Sequence, residues 1–516
     1  MTIATQLICN KFGGIRRKNA VFSGDMITAK DLQNIEIYDT GLNGGVGIRT
    51  TKGNINISGD AFPSNESIIN IFESVQKGNT YFFVHTVSET EGKVYLYDTA
   101  LNTAEAKITG LNPTKVSCGH DFAQGYSDLF VFSNGVDWMK SIEIGATDEF
   151  GIPNEVKSLT VHDKDGREVK GMGLFVYDGR LWVFIKNRLH YCVQENINDF
   201  ATSDINVTTS AGYIEYVKDL TAIYPYLTSL AVFFKDSSIQ ISGTYPYTQG
   251  EESPGGCAGY NALVFHDTDL YFFDNTKKGI FSFQQVVLGH KTLGKNIADE
   301  IQDELLNVDP ERLNEIKTLS IVLESKNEIW FYLPDKDPNY STILIFDYLH
   351  GEWIKRKSQK INCFQIVGNK FYSGTDDAKI LQEYKTSSFN GEFIPHFYNC
   401  SPLNLGSNTT LKVLYFPPRI AFDLPYVNNF FVKYIKNFDI FRSPRVKEIK
   451  AKYKNFLVYG QGFWGQNYYV TKTTNAIGKL PNVTFKTLEI QFYTDNIKQN
   501  FAIKNIEFSK IKVKQL

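Results

Sequence analysis

Two glycine-rich segments have spacings that could hold a phosphate group. GQGFWG at 460–465 matches the G-x-G-x-x-G pattern of dinucleotide-binding turns, and a second run, GLNGGVG, lies at 41–47. A dinucleotide site needs a strand before the glycines and a helix after them, because the helix N-terminus binds the pyrophosphate. The continuation of the first segment predicts a further strand, and the second lacks the Lys-Ser/Thr of a P-loop. We therefore interpret both as turns.

Signals for metal binding are also incomplete. DKDG at 163–166 and DKDP at 335–338 resemble fragments of calcium loops, but neither has the third acid or the closing Glu of such a loop. The six cysteines lie tens of residues apart, whereas a zinc site requires close Cys or His pairs. We predict no metal and no cofactor, and we expect reduced, mostly buried thiols in a protein made in a cytoplasm.

Candidate catalytic groups are dispersed along the chain. Cys118-Gly119-His120 brings a thiol and an imidazole close in sequence, although residues at this spacing on a strand share a face without needing to react. The eight histidines occur singly, without an HExxH or paired-carboxylate spacing. Propeller enzymes do build sites from dispersed carboxylates, so a propeller-type carbohydrate-binding protein or glycoside hydrolase is the alternative function. The Asp-box motif of sialidases is missing, and we predict no catalytic residue and no enzymatic activity.

A basic stretch at 433–454 alternates with aromatic residues. The candidate contact residues are Lys433, Lys436, Arg442, Arg445, Lys450 and Lys452. Basic residues interleaved with aromatics suit single-stranded nucleic acid. Alternation on a strand also produces a solvated basic face over an aromatic core, which is the interpretation we favour, with DNA contact as the second.

The charge of the chain is unevenly distributed. Residues 386–516 contain 18 Lys and Arg against 7 Asp and Glu, about +11, which leaves 36 against 49, about −13, in the rest. An acidic body with a basic C-terminal part predicts self-complementary docking or a charged partner. Drift in solvated surface charge is the alternative explanation.

The elements that must position these residues are short aromatic strands. With 39 Phe and 29 Tyr against 4 Met, the composition favours pleated, half-buried surfaces. Seven such segments recur at a mean step of roughly 47 residues, a period typical of propellers, solenoids or arrays. They begin at Tyr81, Leu129, Leu174, Leu230, Leu270, Ile329 and Phe364.

Two local signals refine this pattern. The segment 173–193 predicts three strands, with Asp178-Gly179 as the tight turn of the first hairpin. The segment 294–316 places Ile297, Ile301, Leu305 and Val308 on one helical face, which predicts a helical insertion between blades.

The sequence as a whole predicts an all-β protein. We expect an N-terminal leader at 1–44, a β-propeller of six or seven blades at 45–385, and a C-terminal β-sandwich-like domain at 386–516. No run of 18 apolar residues occurs, and the N-terminus has no basic region ahead of an apolar one. We therefore expect neither a transmembrane helix nor a Sec signal peptide.

The stretch from about 219 to 357 carries a characteristic order of segments. They contain Gly256, Cys257, Ala258, Asp269, Leu270, Tyr271, Phe272, Gly279 and Ile280, followed by Phe346-Asp347-Tyr348 and Gly351-Glu352-Trp353. This order resembles the tail-nozzle proteins of short-tailed phages, also called packaged-DNA stabilisation or tail tubular proteins. The opening segment, GGIRRKNAVFSGDMITAKDLQNIEI, is similar to the leader of that family. The C-terminal part departs from the family pattern and matches it only at the turn 460–465. The resemblance implies that the C-terminal β domain is a platform, with which the leader packs.

This resemblance implies a structural virion protein, synthesised in the bacterial host cytoplasm and located in the tail. Such a protein forms a homo-oligomeric, hexameric ring that extends the DNA channel below the portal and adaptor proteins of the head-to-tail connector. It retains the packaged genome and passes double-stranded DNA through its lumen during ejection without sequence-specific binding. Further expected partners are tail fibre or tail needle proteins. An acidic or neutral wall suits the lumen, because repulsion from phosphate keeps the duplex mobile.

Overall fold

The protein divides into two compact β units in the computed structural model. The first unit comprises residues 1–53, 344–357 and 386–516, and the second comprises 54–343 and 358–385. The structure describes residues 3–4, 7–17, 26–41, 44–152, 154–204, 207–284, 294–306, 308, 319–332, 337, 339–403, 411–414, 419–423, 429–437, 445–450, 475–479, 484–508 and 511–514.

Seven short strands precede the blades of the second unit. They are β1 (Ile3–Ala4), β2 (Leu7–Cys9), β3 (Lys11–Ile15), β4 (Met26–Gln33), β5 (Ile35–Asp39), β6 (Val46–Thr50) and β7 (Ile55–Asn56).

A seven-bladed β-propeller, which confirms the predicted fold class and fixes the blade number, comprises the second unit together with the parts of blade six that fall within residues 344–357. Blade one is β8 (Ser67–Gln76), β9 (Asn79–Val87), β10 (Gly92–Asp98) and β11 (Thr103–Leu111). Blade two is β12 (Cys118–Gln124), β13 (Ser127–Ser133), β14 (Met139–Ile142) and β15 (Val156–Leu159). Blade three is β16 (Met172–Tyr177), β17 (Arg180–Ile185), β18 (Arg188–Tyr191) and β19 (Gly212–Glu215).

The next four blades follow in chain order. Blade four is β20 (Leu220–Tyr226), β21 (Ser229–Phe234), β22 (Ser237–Ser242), β23 (Thr248–Gln249) and β24 (Ser253–Pro254). Blade five is β25 (Leu263–His266), β26 (Asp269–Asp274) and β27 (Gly279–Ser282). Blade six is β28 (Leu319–Leu323), β29 (Glu328–Tyr332), β30 (Tyr340–Asp347) and β31 (Glu352–Gln359). Blade seven contains β32 (Cys363–Val367), β33 (Lys370–Gly374) and β34 (Ile380–Gln382).

The seven aromatic segments of the sequence fall in seven different blades. Five of them lie in the second strand of a blade, and those that begin at Leu174 and Phe364 lie in the first. Second strands pack between neighbouring blades and are buried on both faces, so their apolar residues run without interruption. All residues of β21 and β29 are buried. Between blades one and two, the rings of Phe83 and Phe130 stack at 4.7 Å.

The predicted hairpin of blade three is confirmed. Strands β16 and β17 pair through Tyr177 and Arg180, which leaves Asp178 and Gly179 as the two turn residues. Their φ angles are +53° and +65°, which is the positive pair that a type I′ turn requires.

The predicted helical insertion lies after blade five. A 3-10 turn at Asp299–Ile301 leads into helix α1 (Gln302–Leu306), and Ile301, Leu305 and Val308 are buried. Residues 294–298, just before the turn, are not helical, and the amide of Ile297 donates to the carbonyl of Ile280 in β27 at 3.0 Å. The remainder of the predicted segment, from 309 to 316, lies outside the described residues. No helix in the described ranges is long and apolar enough to cross a membrane.

Blade seven is completed by a strand from far earlier in the chain. Strand β7 pairs antiparallel with β34, with Asn56 opposite Leu381 and Ile55 opposite Gln382. The next residues continue the contact, since the amide of Ile57 donates to the carbonyl of Ile380 at 2.9 Å. The propeller ring is therefore closed by non-local pairing.

The first unit is a curled sheet domain. Its 12-stranded sheet runs in the order β39-β38-β42-β35-β4-β3-β6-β43-β37-β40, with β2 on β43 and β5 on β6. A separate four-stranded sheet has the order β1-β44-β36-β41. The remaining strands are β35 (Phe397–Cys400), β36 (Leu411–Leu414), β37 (Arg419–Asp423), β38 (Asn429–Lys436), β39 (Arg445–Lys450), β40 (Asn475–Lys479), β41 (Thr484–Phe485), β42 (Leu488–Tyr493), β43 (Ala502–Phe508) and β44 (Ile511–Lys514).

Strands from both ends of the chain share the larger sheet. The first strands β3, β4 and β6 lie between β35 and β43, which belong to the C-terminal part. Strand β38 alternates buried Phe430, Val432 and Tyr434 with partly exposed residues, the pattern of a sheet with one packed face. The six cysteines of the chain are buried, as expected: Cys9, Cys118, Cys192, Cys257, Cys363 and Cys400.

Candidate functional site

The first strands of the seven blades surround a central cavity in the propeller. Its volume is about 340 Å³, and part of its boundary is open to solvent. Strands β8, β12, β16, β20, β25, β28 and β32 each contribute residues to the wall. The volume lies at the lower end of the range of small-molecule pockets, roughly 300–1,000 Å³.

Some polar groups of the wall are held by the propeller itself. The side-chain amide of Asn70 donates to the carbonyl of Ser117 at 3.1 Å. The hydroxyl of Ser320 donates to the carbonyl of Asn261 at 3.1 Å. The hydroxyl of Tyr260 also donates to the Ser117 carbonyl, and burial raises the pKa of Tyr260, so its proton is retained. These bonds fix the shape of the wall.

Two other polar side chains of the wall keep unused hydrogen-bonding capacity. Tyr224 in β20 and Gln365 in β32 both line the cavity. No side-chain hydrogen bond joins either of them to another described residue. Burial raises the pKa of Tyr224, so its hydroxyl stays protonated at neutral pH. A phenol and a primary amide together provide donors and acceptors to a bound molecule.

Aromatic side chains form the apolar part of the wall. Phe175 and Tyr224, from neighbouring blades, have ring centroids 4.9 Å apart. Phe72 packs against Phe130 at 5.5 Å, and Phe364 packs edge-on against Trp330 at 6.0 Å. The rings are thus held in place by the hydrophobic core behind them.

Among the described residues that line the cavity none has a charged side chain, and together they provide amides, hydroxyls, aromatic and aliphatic groups and one thiol. Among the described residues no group of three or more His, Cys, Asp or Glu could hold a metal ion. Acid–base chemistry needs a titratable pair within reach of the substrate. The wall offers binding groups for an uncharged polar molecule, and its titratable groups are the Cys118 thiol and the phenols of Tyr224 and Tyr260. Burial raises the pKa values of both phenols.

The predicted basic residues lie in the curled sheet domain, as far as they are described. Lys433 and Lys436 belong to β38, Arg445 and Lys450 belong to β39, and Arg442 and Lys452 lie outside the described residues. In the register of the two strands, Tyr434 lies opposite Arg445 and Asn429 lies opposite Lys450.

These basic residues do not all share one face. Lys433 lies on the face of β38 opposite to the buried Phe430, Val432 and Tyr434. By strand alternation, Lys436 and Arg445 fall on the face of those buried residues, at strand ends where Lys436 is half-buried and Arg445 is exposed.

Among the described strands β39 is the outermost of its sheet, and charge on an edge strand also protects it from pairing with other chains.

The other sequence signals have structural roles where the structure describes them. The thiol of Cys118 donates to the carbonyl of Ser133 at 3.7 Å, and the ring of His120 packs against Phe175 at 5.4 Å. In the segment DKDG, the carboxylate of Asp163 accepts hydrogen bonds from the amides of Asp165 and Arg167 at 2.9 Å. Such bonds stabilise a turn. The segments 460–465 and 335–336, together with residues 338, 42 and 43, lie outside the described residues.

Sequence reasoning singled out Cys118, Leu174 and Phe364 for other reasons without recognising that they line a cavity, and it missed Tyr224 and Gln365. Tyr224 and Gln365 carry no motif, and they are brought together only when seven blades close into a ring. The available signal was positional, because the inner strand of a blade comes immediately before a second strand that is rich in buried apolar residues. Placing each blade's inner strand in this way would have assembled the wall without identifying its function.

Comparisons with known proteins give no functional information. No protein-family model and no curated protein matches the chain. Among solved structures, the computationally designed Ika8 protein matches with 12% identity and a TM-score of 0.37, over 65% of this chain and 100% of that one. A chain of the mitotic checkpoint complex matches with 11% identity and a TM-score of 0.37, over 63% and 93%. Likeness at this level carries no argument about function.

Proposed function

We propose that the protein is a structural component of a short-tailed phage virion: the nozzle that continues the DNA channel below the portal and adaptor. The observation that carries the proposal is the pairing of a propeller with a second, curled β unit built from both chain ends. A propeller with a platform domain is the architecture that the sequence resemblance implies. The fold is compatible with this role, and the role itself rests on the resemblance.

The residues that carry the resemblance lie in or just before blade five, at positions where close packing or hydrogen bonding restricts the residue type. At Gly256 a Cβ atom would lie 2.2 Å from the backbone of Lys235, so only glycine fits. Cys257 is fully buried, and its amide donates to the carbonyl of Phe234 at 3.0 Å. The carboxylate of Asp269 accepts the amides of Leu270 and Gln284 at 2.7 and 2.9 Å. The match therefore concerns how the blades are built.

The second part of the resemblance lies in the hairpin of β30 and β31. The carboxylate of Asp347 accepts the amide of His350 at 3.0 Å, which closes the turn. Trp353 is buried, and its ring centroid lies 5.0 Å from that of Phe346. These contacts again support hairpin geometry.

The DNA channel of this proposal is formed between subunits. The propeller cavity, at about 340 Å³, has the size of a small-molecule pocket and cannot admit a duplex. A nozzle therefore requires a ring of several copies that encloses a much wider lumen. We propose no enzymatic activity for the protein, since none of the sequence motifs considered above has the structural context that its chemistry would need.

Native mass spectrometry of the purified full-length protein at low salt tests the proposal. The chain has a mass of 58.6 kDa, and the expected result is a closed hexamer. A monomer at every concentration would contradict the nozzle. Hydrolysis of glycans by the purified protein, abolished by one carboxylate substitution, would instead favour the glycoside hydrolase alternative.

A further inference from the structure

The central cavity of the propeller is the described feature that the nozzle proposal leaves unexplained. We infer that it is a binding site for a neutral polyhydroxylated ligand of the size of one monosaccharide. This inference is independent of the ring, because every residue of the wall belongs to one propeller.

The chemistry of the wall selects against charged ligands. In the part of the chain that the structure describes, no Lys, Arg, His, Asp or Glu lines the cavity. A phosphate or carboxylate that entered would lose water without gaining an opposite charge, which is strongly unfavourable. A metal ion would find neither carboxylate nor imidazole. The wall therefore suits an uncharged molecule.

The polar groups of the wall match a molecule that is rich in hydroxyls. The phenol of Tyr224 and the amide of Gln365 face the cavity without a partner in the described chain. Each sugar hydroxyl can donate and accept, and so can these two groups together. Asn70 and Ser320, which are anchored to backbone carbonyls, give fixed polar edges beside them.

The aromatic part of the wall matches the apolar face of a sugar ring. Phe175 and Tyr224 lie together on adjacent inner strands, with ring centroids 4.9 Å apart. The C–H groups of a pyranose pack on such faces, and the polar edge of the ring is left for hydrogen bonds. The amides and the aromatic rings of the wall thus provide hydrogen bonds and packing contacts that one neutral sugar can make at the same time.

Saturation-transfer NMR and calorimetry on the full-length protein test this site. The probes are D-glucose, D-galactose and N-acetyl-D-glucosamine at about 10 mM, a concentration that detects millimolar binding. Glucose 6-phosphate and glucuronate serve as charged comparators. We expect at least one neutral sugar to bind, and the charged sugars to bind at least tenfold more weakly.

Two cavity variants and one matched control locate the binding. Tyr224→Phe removes one hydroxyl and should weaken binding about three- to tenfold. Val264→Phe fills the cavity and should abolish binding. Tyr226→Phe removes the same hydroxyl group on the same strand, but Tyr226 does not line the cavity. This variant should bind the sugar with the affinity of the wild type.

Three results would overturn the inference. The first is the absence of binding by every neutral sugar, which would leave the cavity to solvent. The second is equal binding of the charged comparators. The third is binding that survives both Tyr224→Phe and Val264→Phe, which would place the ligand elsewhere. Each variant is checked by its melting temperature, and if Val264→Phe does not fold, Tyr224→Phe against Tyr226→Phe still decides.

Discussion

Gly179 sets the geometry of the hairpin in blade three. With a φ angle of +65° it occupies the second turn position, where a β-branched residue is strained. Gly179→Val should lower the free energy of unfolding by about 1–3 kcal/mol, measured by denaturant titration. Gly179→Asn is the control, because Asn adopts positive φ more readily and should cost less. Equal stability of the wild type and both variants would contradict a type I′ turn with a positive φ angle at Gly179.

His350 gives the curled sheet domain a dependence on alkaline pH. Burial lowers the pKa of His350, but hydrogen bonds and charge from Asp347 and Asp39 outweigh it, and the pKa lies above its usual 6.5. Its Nδ1 lies 2.8 Å from Asp347 and its Nε2 lies 3.3 Å from Asp39. A raised folded-state pKa stabilises the protein below pH 6.5, and this stabilisation is lost as the pH rises through the higher value.

The free energy of unfolding should therefore decrease as the pH rises above about 6.5. His350→Gln should remove that component, so the variant has a flatter profile above pH 6.5, measured by chemical denaturation. Burial lowers the pKa values of His190 and His396 to about 4. These two histidines have the opposite effect, because they reduce the free energy of unfolding only as the pH falls below 6.5. An identical alkaline profile in the wild type and His350→Gln would show that the contact with Asp347 and Asp39 has no effect.

At the scale of elements, the propeller depends on the short segment that completes blade seven. Ser58 is fully buried, accepts the amide of Ile380 at 3.0 Å and donates to the side chain of Asn56 at 3.1 Å. Ser58→Ala leaves that amide without its partner and should cost about 1–3 kcal/mol. Ser64→Ala, at an exposed position, is the control and should be neutral within about 0.5 kcal/mol.

Hydrogen exchange separates loss of closure from general destabilisation. In Ser58→Ala, the amides of β34 and of Ile57 should exchange faster relative to those of β21, which lies in another blade. Uniform acceleration across all blades would contradict a local role for the closing strand.

The local sequence could predict only those elements whose structure is determined by neighbouring residues in the chain. The second strands were visible because burial on both faces makes them continuously apolar, as in β21 and β29. The turn at Asp178-Gly179 was visible because few residues adopt its backbone angles. The two-residue β7 had no such signal, since its partner β34 lies more than 300 residues away. For the same reason, the sheet shared by β3 and β43 could not be derived from either end alone.

At the scale of the whole molecule, the uneven charge makes a prediction about assembly. If the basic C-terminal part docks on acidic surface of a neighbouring subunit, the oligomer should weaken with salt. Raising ionic strength from ~0.05 to ~0.5 M shortens the Debye length from roughly 14 to 4 Å. Exposed pairs contribute about 0–1 kcal/mol each, but many complementary charges together set specificity and association rate.

Charge reversal identifies the surface. Lys433→Glu, Lys436→Glu and Arg445→Glu combined should reduce the oligomer mass at low salt, measured by sedimentation velocity. The control reverses three exposed propeller lysines, Lys115, Lys157 and Lys235, and should leave the mass unchanged. An oligomer mass that changes neither with salt nor with the first set of substitutions would assign the basic surface to DNA or to a different partner protein.

Electron microscopy of the purified protein tests the nozzle proposal most directly. The account predicts closed rings of six subunits, each with a seven-bladed propeller, around a central channel wide enough for a DNA duplex. Isolated subunits, or assemblies without an open channel, would contradict it.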